Sequence, residues 1–165
     1  MVSAIVVPQV LVSVNSARAA AAARYLSSRL MLARMLAVQR TASIAVRFDA
    51  DAGGFRFATY QDGNGNGVRS QDIASNIDRQ IEAPVRLFEL FPGVDFAVAV
   101  DGQIDPIQLS GSSLLTFTPS GTATSGSVYL RGQDGSQFAV RVLGATGRSR
   151  VQRYDERQQR WTDRF

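Results

Sequence analysis

The sequence predicts an α+β protein, in which a long N-terminal α-helix precedes a mostly antiparallel β head arranged as two small sheets. Three observations carry this. Apolar residues recur at three- and four-residue steps through the first ~45 positions. Beyond Ile44 the period drops to two. Glycine- and proline-rich turns then divide the rest of the chain into short segments.

The helix is read from Met1 to about Ser43, with the head from residue 44 to 165. Val6, Val10, Val14, Ala17 and Ala21, then Leu26, Leu30, Ala33 and Ala37, form its apolar stripe, and no glycine interrupts it. At 1.5 Å per residue it would run roughly 55–60 Å, more than a head of this size can cover. Part of it therefore needs a partner outside the head, and Val6, Val10, Val14, Ala17 and Ala21 are the residues expected to meet one. Val2 to Val14 carries no charge, and Pro8 is its only breaker. Such an apolar run of about 13 residues falls short of the roughly 20 that span a bilayer. From Arg18 onward the helix is amphipathic and suited to dock on a sheet, with Arg18, Arg29 and Arg40 forming a polar ridge.

Ile44, Val46 and Phe48 alternate, turn at Asp49 to Gly54, and resume at Phe55 and Phe57, which reads as a β-hairpin. Gln61 to Gly67 is turn sequence, and Val68 to Ala83 is polar loop with one helical turn around Asp72 to Asn76. Val94, Phe96, Val98 and Val100 alternate strictly and predict a strand through Val100. Leu115 and Phe117 form a short strand stopped by Pro119-Ser-Gly121. Val128 and Leu130 pair with Phe138, Val140 and Val142 across Gly132 to Gly135. A last strand runs from Arg148 to Tyr154, closed by Trp161. About seven strands result, in one domain.

Composition excludes most chemistry. The 165 residues contain no cysteine and no histidine, and all 18 basic residues are arginines. Thiolate, imidazole and lysine chemistry are therefore absent, and the serines have no base to activate them. The reading is of a protein that is not an enzyme. The formal charge of +4 is concentrated at the end of the chain, where seven arginines from Arg141 onward face only Asp155, Glu156 and Asp163. Such an excess suits nucleic acid or anionic lipid.

Two motifs stand out. Asp62-Gly-Asn-Gly-Asn-Gly67 spaces Asp62, Asn64 and Asn66 as calcium loops space their first ligands, with glycine at the sixth position. The twelfth position, however, is Ile73, with Asp72 one residue early. A tight turn accounts for the segment, and Ca2+ on Asp62, Asn64, Asn66 and Asp72 is the one cofactor left open. The second motif is Thr146-Gly-Arg-Ser-Arg150. On a strand, Arg148 and Arg150 project from one face about 7 Å apart, close to the spacing of phosphates along a nucleic-acid strand, and Arg153 falls on the other face. Arg153 and Arg157 are the expected assistants. The competing reading is a solvated pair of surface arginines. No aromatic row for base stacking accompanies them, and Tyr154 and Trp161 are expected to seal the edge of the core.

The helix segment SARAAAAARYLSSRLMLARMLAVQRTASIAVRF, the DGNGNG loop, LTFTPSGTATSGSVYLRG and the closing ATGRSRVQRYD before Trp161 together resemble a GspH/FimT-type pseudopilin over nearly the whole chain. The most specific parts are Phe117-x-Pro-x-Gly121 and Gly147-Arg-x-Arg150. The resemblance implies a minor pilin-like subunit of a type II secretion pseudopilus or a type IV pilus. Its helix would pack among those of other pilins in the filament core, its head would sit in the periplasm of a Gram-negative bacterium, and it would be held in the inner membrane before assembly. Some FimT-like members bind DNA in natural transformation through the Gly-Arg-x-Arg segment, which Arg148 and Arg150 match, so double-stranded DNA is the further partner the resemblance implies. The family's leader peptide and assembly glutamate match no residue of this chain, and none is assigned to those roles.

Overall fold

The computed structural model describes residues 6–100 and 105–163, with side chains from residue 14. Helix α1 (Val6–Arg40) runs 35 residues. It ends where Thr41 turns into the left-handed region at φ 50° and Ala42 N–H donates to Ala37 O at 3.3 Å, closing the last turn. The β-periodic sequence begins four residues after the helix ends. Ala19, Ala22, Ala23, Leu26, Leu30, Ala33 and Ala37 are all at most 1% exposed. Five of these seven are alanines, so the helix axis lies close to the sheet beneath.

Strands β1 (Ile44–Asp51) and β2 (Gly54–Gln61) form the first hairpin, in register from Ile44↔Gln61 to Asp51↔Gly54. A short helix α2 (Ser70–Ala74) leads to β3 (Arg79–Val85), and α3 (Leu87–Leu90) to β4 (Val94–Phe96). Then follow β5 (Ile107–Leu109), β6 (Leu114–Phe117), β7 (Gly126–Gly132), β8 (Gln137–Leu143), β9 (Arg148–Asp155) and β10 (Arg160–Thr162). They form an antiparallel four-stranded sheet, β3-β2-β1-β6, and an antiparallel six-stranded one, β10-β9-β8-β7-β4, with β5 also on the β7 edge. Helix α1 lies across the inner face of β7, β8 and β9 and touches β1 and β6. The sheets meet where Phe96 of the larger one stands among Phe48, Phe55 and Phe57 of the smaller, ring centroids 5.7–6.4 Å apart.

Two expectations change, and one segment takes a form no expectation covered. The strand from Val94 stops at Phe96, because β7 pairs with β4 only over Leu130–Gly132 and offers the rest of that edge to β5. The polar stretch before Ala83 is strand from Arg79 onward. It is an outer strand with Pro84 in it, which needs little apolar alternation. The apolar run around Leu87 makes one helical turn, burying Leu87 alone. Both predicted hairpins, the Leu115–Phe117 strand and the strand from Arg148 appear as expected.

Candidate functional site

The Gly147-Arg-Ser-Arg150 motif is split by the alternation of β9. Its odd residues face inward. Ser149 shares a 2.7 Å hydroxyl contact with Ser27 of α1, and Val151 packs on the core. Gly147 occupies the left-handed region at φ 61°, and a Cβ there would overlap the carbonyl oxygen of Gly121 and crowd the Arg34 side chain. Arg34 Nε in turn donates to Gly121 O at 3.1 Å. Thus the two segments that carry the resemblance, 117–121 and 147–150, meet each other under one arginine of the helix. The inner half of the motif is a packing device.

The even residues face outward. Arg148 and Arg150 are both exposed, on the same face of β9. Register places Arg141 of β8 directly beside Arg150. Arg141 is held flat: Nε donates to Gln152 Oε1 at 2.6 Å, Nη1 to Ser127 Oγ at 3.1 Å, and its guanidinium carbon lies 5.7 Å from the Trp161 ring and 5.9 Å from that of Tyr129. Trp161 also contacts Tyr129 and Tyr154, at 5.5 and 5.2 Å. Trp161 and Tyr154 cover Tyr129, itself 3% exposed, at the β10 edge of the larger sheet, on the same side as the arginine pair. A carboxylate already sits on this face. Asp163 accepts from Arg150 Nη1 at 3.2 Å and from Gln152 Nε2 at 2.9 Å. Sequence reading missed Arg141, Trp161 and Asp163 as members of this face; the cross-strand register that brings them together depends on two turns whose lengths fix it.

Arg153 and Arg157 stand elsewhere. Arg153 lies on the inner side of β9, its guanidinium carbon 6.0 Å from the Phe138 ring. Arg157 is in the β9–β10 turn, its N–H donating to Asp155 Oδ1 at 2.9 Å. Both line an open cavity of about 450 Å³ shared with Asp134, Asp155 and Glu156. These acids offset the two charges. The expected four-arginine set is therefore a pair, Arg148 and Arg150, joined by Arg141.

The glycine-rich loop turns its charge inward. Asp62, 8% exposed, accepts the N–H groups of Asn64 and Gly65 on Oδ1 and of Gly67 on Oδ2. Asp78, 1% exposed, accepts those of Gly63 and Arg69. Asn64 and Asn66 donate their side-chain amides to Asp72 Oδ2, at 3.3 and 3.0 Å. The Asp62 oxygens a calcium ion would need are aimed at backbone amides, and the two asparagines present nitrogens to Asp72. Among the described residues no three acidic side chains converge to hold a metal. At the far end of the β1–β2 hairpin, the hydrogen bond from Arg86, with help from Gly53 N–H, holds the Asp51 carboxyl below the usual carboxylate range.

Of the helix residues expected to meet a partner, Val6 and Val10 lie outside the described side chains. Val14 is 41% exposed, Ala17 is exposed and Ala21 half-buried. The head thus begins to bury the helix at Ala19 and leaves Val14 and Ala17 exposed. Among the described residues no helix is long and apolar enough to cross a membrane.

Residues 22–147 match the family described as Type II transport protein GspH. The matched stretch ends at Gly147, one residue before the exposed arginines. No curated protein matches the chain. Among solved structures, the minor pseudopilin EpsH from the type 2 secretion system of Vibrio cholerae shares the fold, with a TM-score of 0.54 at 15% identity, covering 81% of this chain and 95% of that one. The family match spans most of the chain, and the long helix laid on two antiparallel sheets is the architecture of that relative: the chain belongs to the GspH family.

Proposed function

We propose that this chain is a minor pseudopilin, a non-enzymatic structural subunit of a type II secretion pseudopilus or related type IV pilus, placed near the filament tip. The observation that carries the reading is the change in α1 at Ala19, before which Val14 and Ala17 have no seat on the head. An apolar helix segment freed from its own domain is suited to pack against the equivalent helices of other pilins, and to rest in the inner membrane before assembly with the head in the periplasm. The chain lacks cysteine, so single cysteines can be introduced without background. Val14→Cys and Ala17→Cys should cross-link to cysteines placed in the helices of co-expressed pseudopilins, whereas Ala22→Cys, buried under the head, should not. Equal cross-linking at all three positions, or none at Val14 in cells with an assembled secretion apparatus, would remove the filament reading.

A second reading is favoured by the outward half of the Gly-Arg-x-Arg motif. Packing accounts for Gly147 and Ser149 but not for Arg148 and Arg150, which are exposed and aligned. A pilin scaffold that presents two aligned guanidinium groups would bind the phosphates of DNA, in the manner of the transformation pilins of this family.

A further inference from the structure

We propose that the ligand of the arginine face is a single nucleic-acid strand, with Trp161 as its stacking residue and Arg141 as its third cation; this rests on the DNA-binding reading above. Four features of one surface support it. Arg148 and Arg150 are spaced along one β-strand as phosphates are spaced along one polynucleotide strand. Arg141 stands beside Arg150 and is locked by Gln152, Ser127 and two rings, so it loses little freedom on meeting an anion. The Asp163 carboxylate, shared by Arg150 and Gln152, shows that this surface seats an anion between those two side chains. Trp161 of β10 is half-buried and lies two residues from Asp163, which follows the end of that strand; it borders an open cavity of about 550 Å³ together with Asp155, Gln158, Arg160, Thr162 and Asp163. A strand whose phosphate displaced Asp163 would bring a base to the open side of that indole. A duplex keeps its bases stacked inside and would meet the arginines alone. Charge with an adjoining aromatic ring is the chemistry of single-strand platforms.

Trp161 is the one tryptophan of the chain, so its emission reports directly on stacking. The full chain in mild detergent would be titrated at low salt with a dT oligonucleotide and with a duplex of equal length, following Trp161 emission and the anisotropy of a labelled oligonucleotide. The single strand should quench Trp161 and the duplex should not. Trp161→Leu should weaken single-strand binding about tenfold, in line with the loss of one stacked base, while Trp161→Phe, which keeps a ring, should stay within about twofold. The pair Trp161→Phe and Trp161→Leu separates stacking from any loss of folding at β10, which far-UV circular dichroism also checks. Duplex binding that depends on Arg148 and Arg150 with Trp161 silent, or equal quenching by both probes, would overturn the single-strand inference and leave the DNA reading standing. Absence of binding by either probe, or binding unchanged in an Arg148→Ala/Arg150→Ala variant, would remove the DNA reading and this inference with it.

Discussion

Two charge-bearing segments that open on or contain glycine, the Asp62–Gly67 loop after β2 and Gly147–Arg150 at the start of β9, are built in opposite senses. In the first, the Asp62 carboxylate is buried and accepts the N–H groups of its own loop, so the charge holds the backbone. In the second, glycine is buried, serine is half-buried against α1, and the charges stand in solvent. The difference teaches where to look for a partner. A charge whose hydrogen-bonding capacity is spent on its own chain belongs to the fold, and a charge that packing leaves over is available to something else.

Gly147 is where the contrast can be broken most sharply. A residue with a side chain at φ 61° costs about 1–2 kcal/mol, and the added Cβ meets the Gly121 carbonyl, which is backbone and cannot swing aside. Gly147→Ala should therefore destabilise by about 3 kcal/mol or more, read as a drop in the urea midpoint. It should also disturb Arg34, whose Nε contact to Gly121 crosses from α1. A near-neutral Gly147→Ala would mean that the motif's inner half does not pack as described.

The corresponding test of the first segment is Asp78→Ala. It leaves the amides of Gly63 and Arg69 without acceptors at a site 1% exposed, and should cost about 2–3 kcal/mol. Proteolysis between Gly63 and Ile77 should rise in step. Asp78→Asn should fall between, since the amide keeps one acceptor but turns a donor toward a donor. If calcium restored the Asp78→Ala variant to full stability, an ion rather than the carboxylates would be holding the loop, and the comparison would need redrawing.

How much of this was legible beforehand follows from what period and composition measure. The buried stripe Leu26, Leu30, Ala33 and Ala37 was readable because one side of α1 faces a sheet throughout. Strand β3 was not, because an outer strand at Arg79–Val85 has no continuous apolar face to announce it. Val98 and Val100 alternate as a strand would, yet the edge of β7 was already shared between β4 and β5; alternation reports amphipathicity, not the availability of a partner. At the candidate site, Arg148 and Arg150 were found because their spacing is local. Arg141, Trp161 and Asp163 join them across three strands, and only the register assembles that face. Arg153 and Arg157 were chosen for nearness in sequence, which strand alternation and the β9–β10 turn overrule.

The smallest effect expected on folding is the one that separates the two segments most cleanly. Among the described residues, the ion pair lost in Arg148→Ala/Arg150→Ala is that of Arg150 with Asp163, whose side chains are 59% and 54% exposed. Exposed pairs contribute little, and the double variant should lie within about 0.5 kcal/mol of the parent by urea denaturation. Removal of Arg150 from opposite Arg141 also relieves repulsion between like charges on adjacent strands, which works against any loss. A charged motif that is neutral to stability, set beside an Asp78→Ala variant that is not, is the pattern expected if one segment's charge serves the fold and the other's serves a partner. A double variant destabilised by about 2 kcal/mol would place Arg148 and Arg150 among the groups that hold the fold together, and the outward half of the motif would need no ligand to explain it.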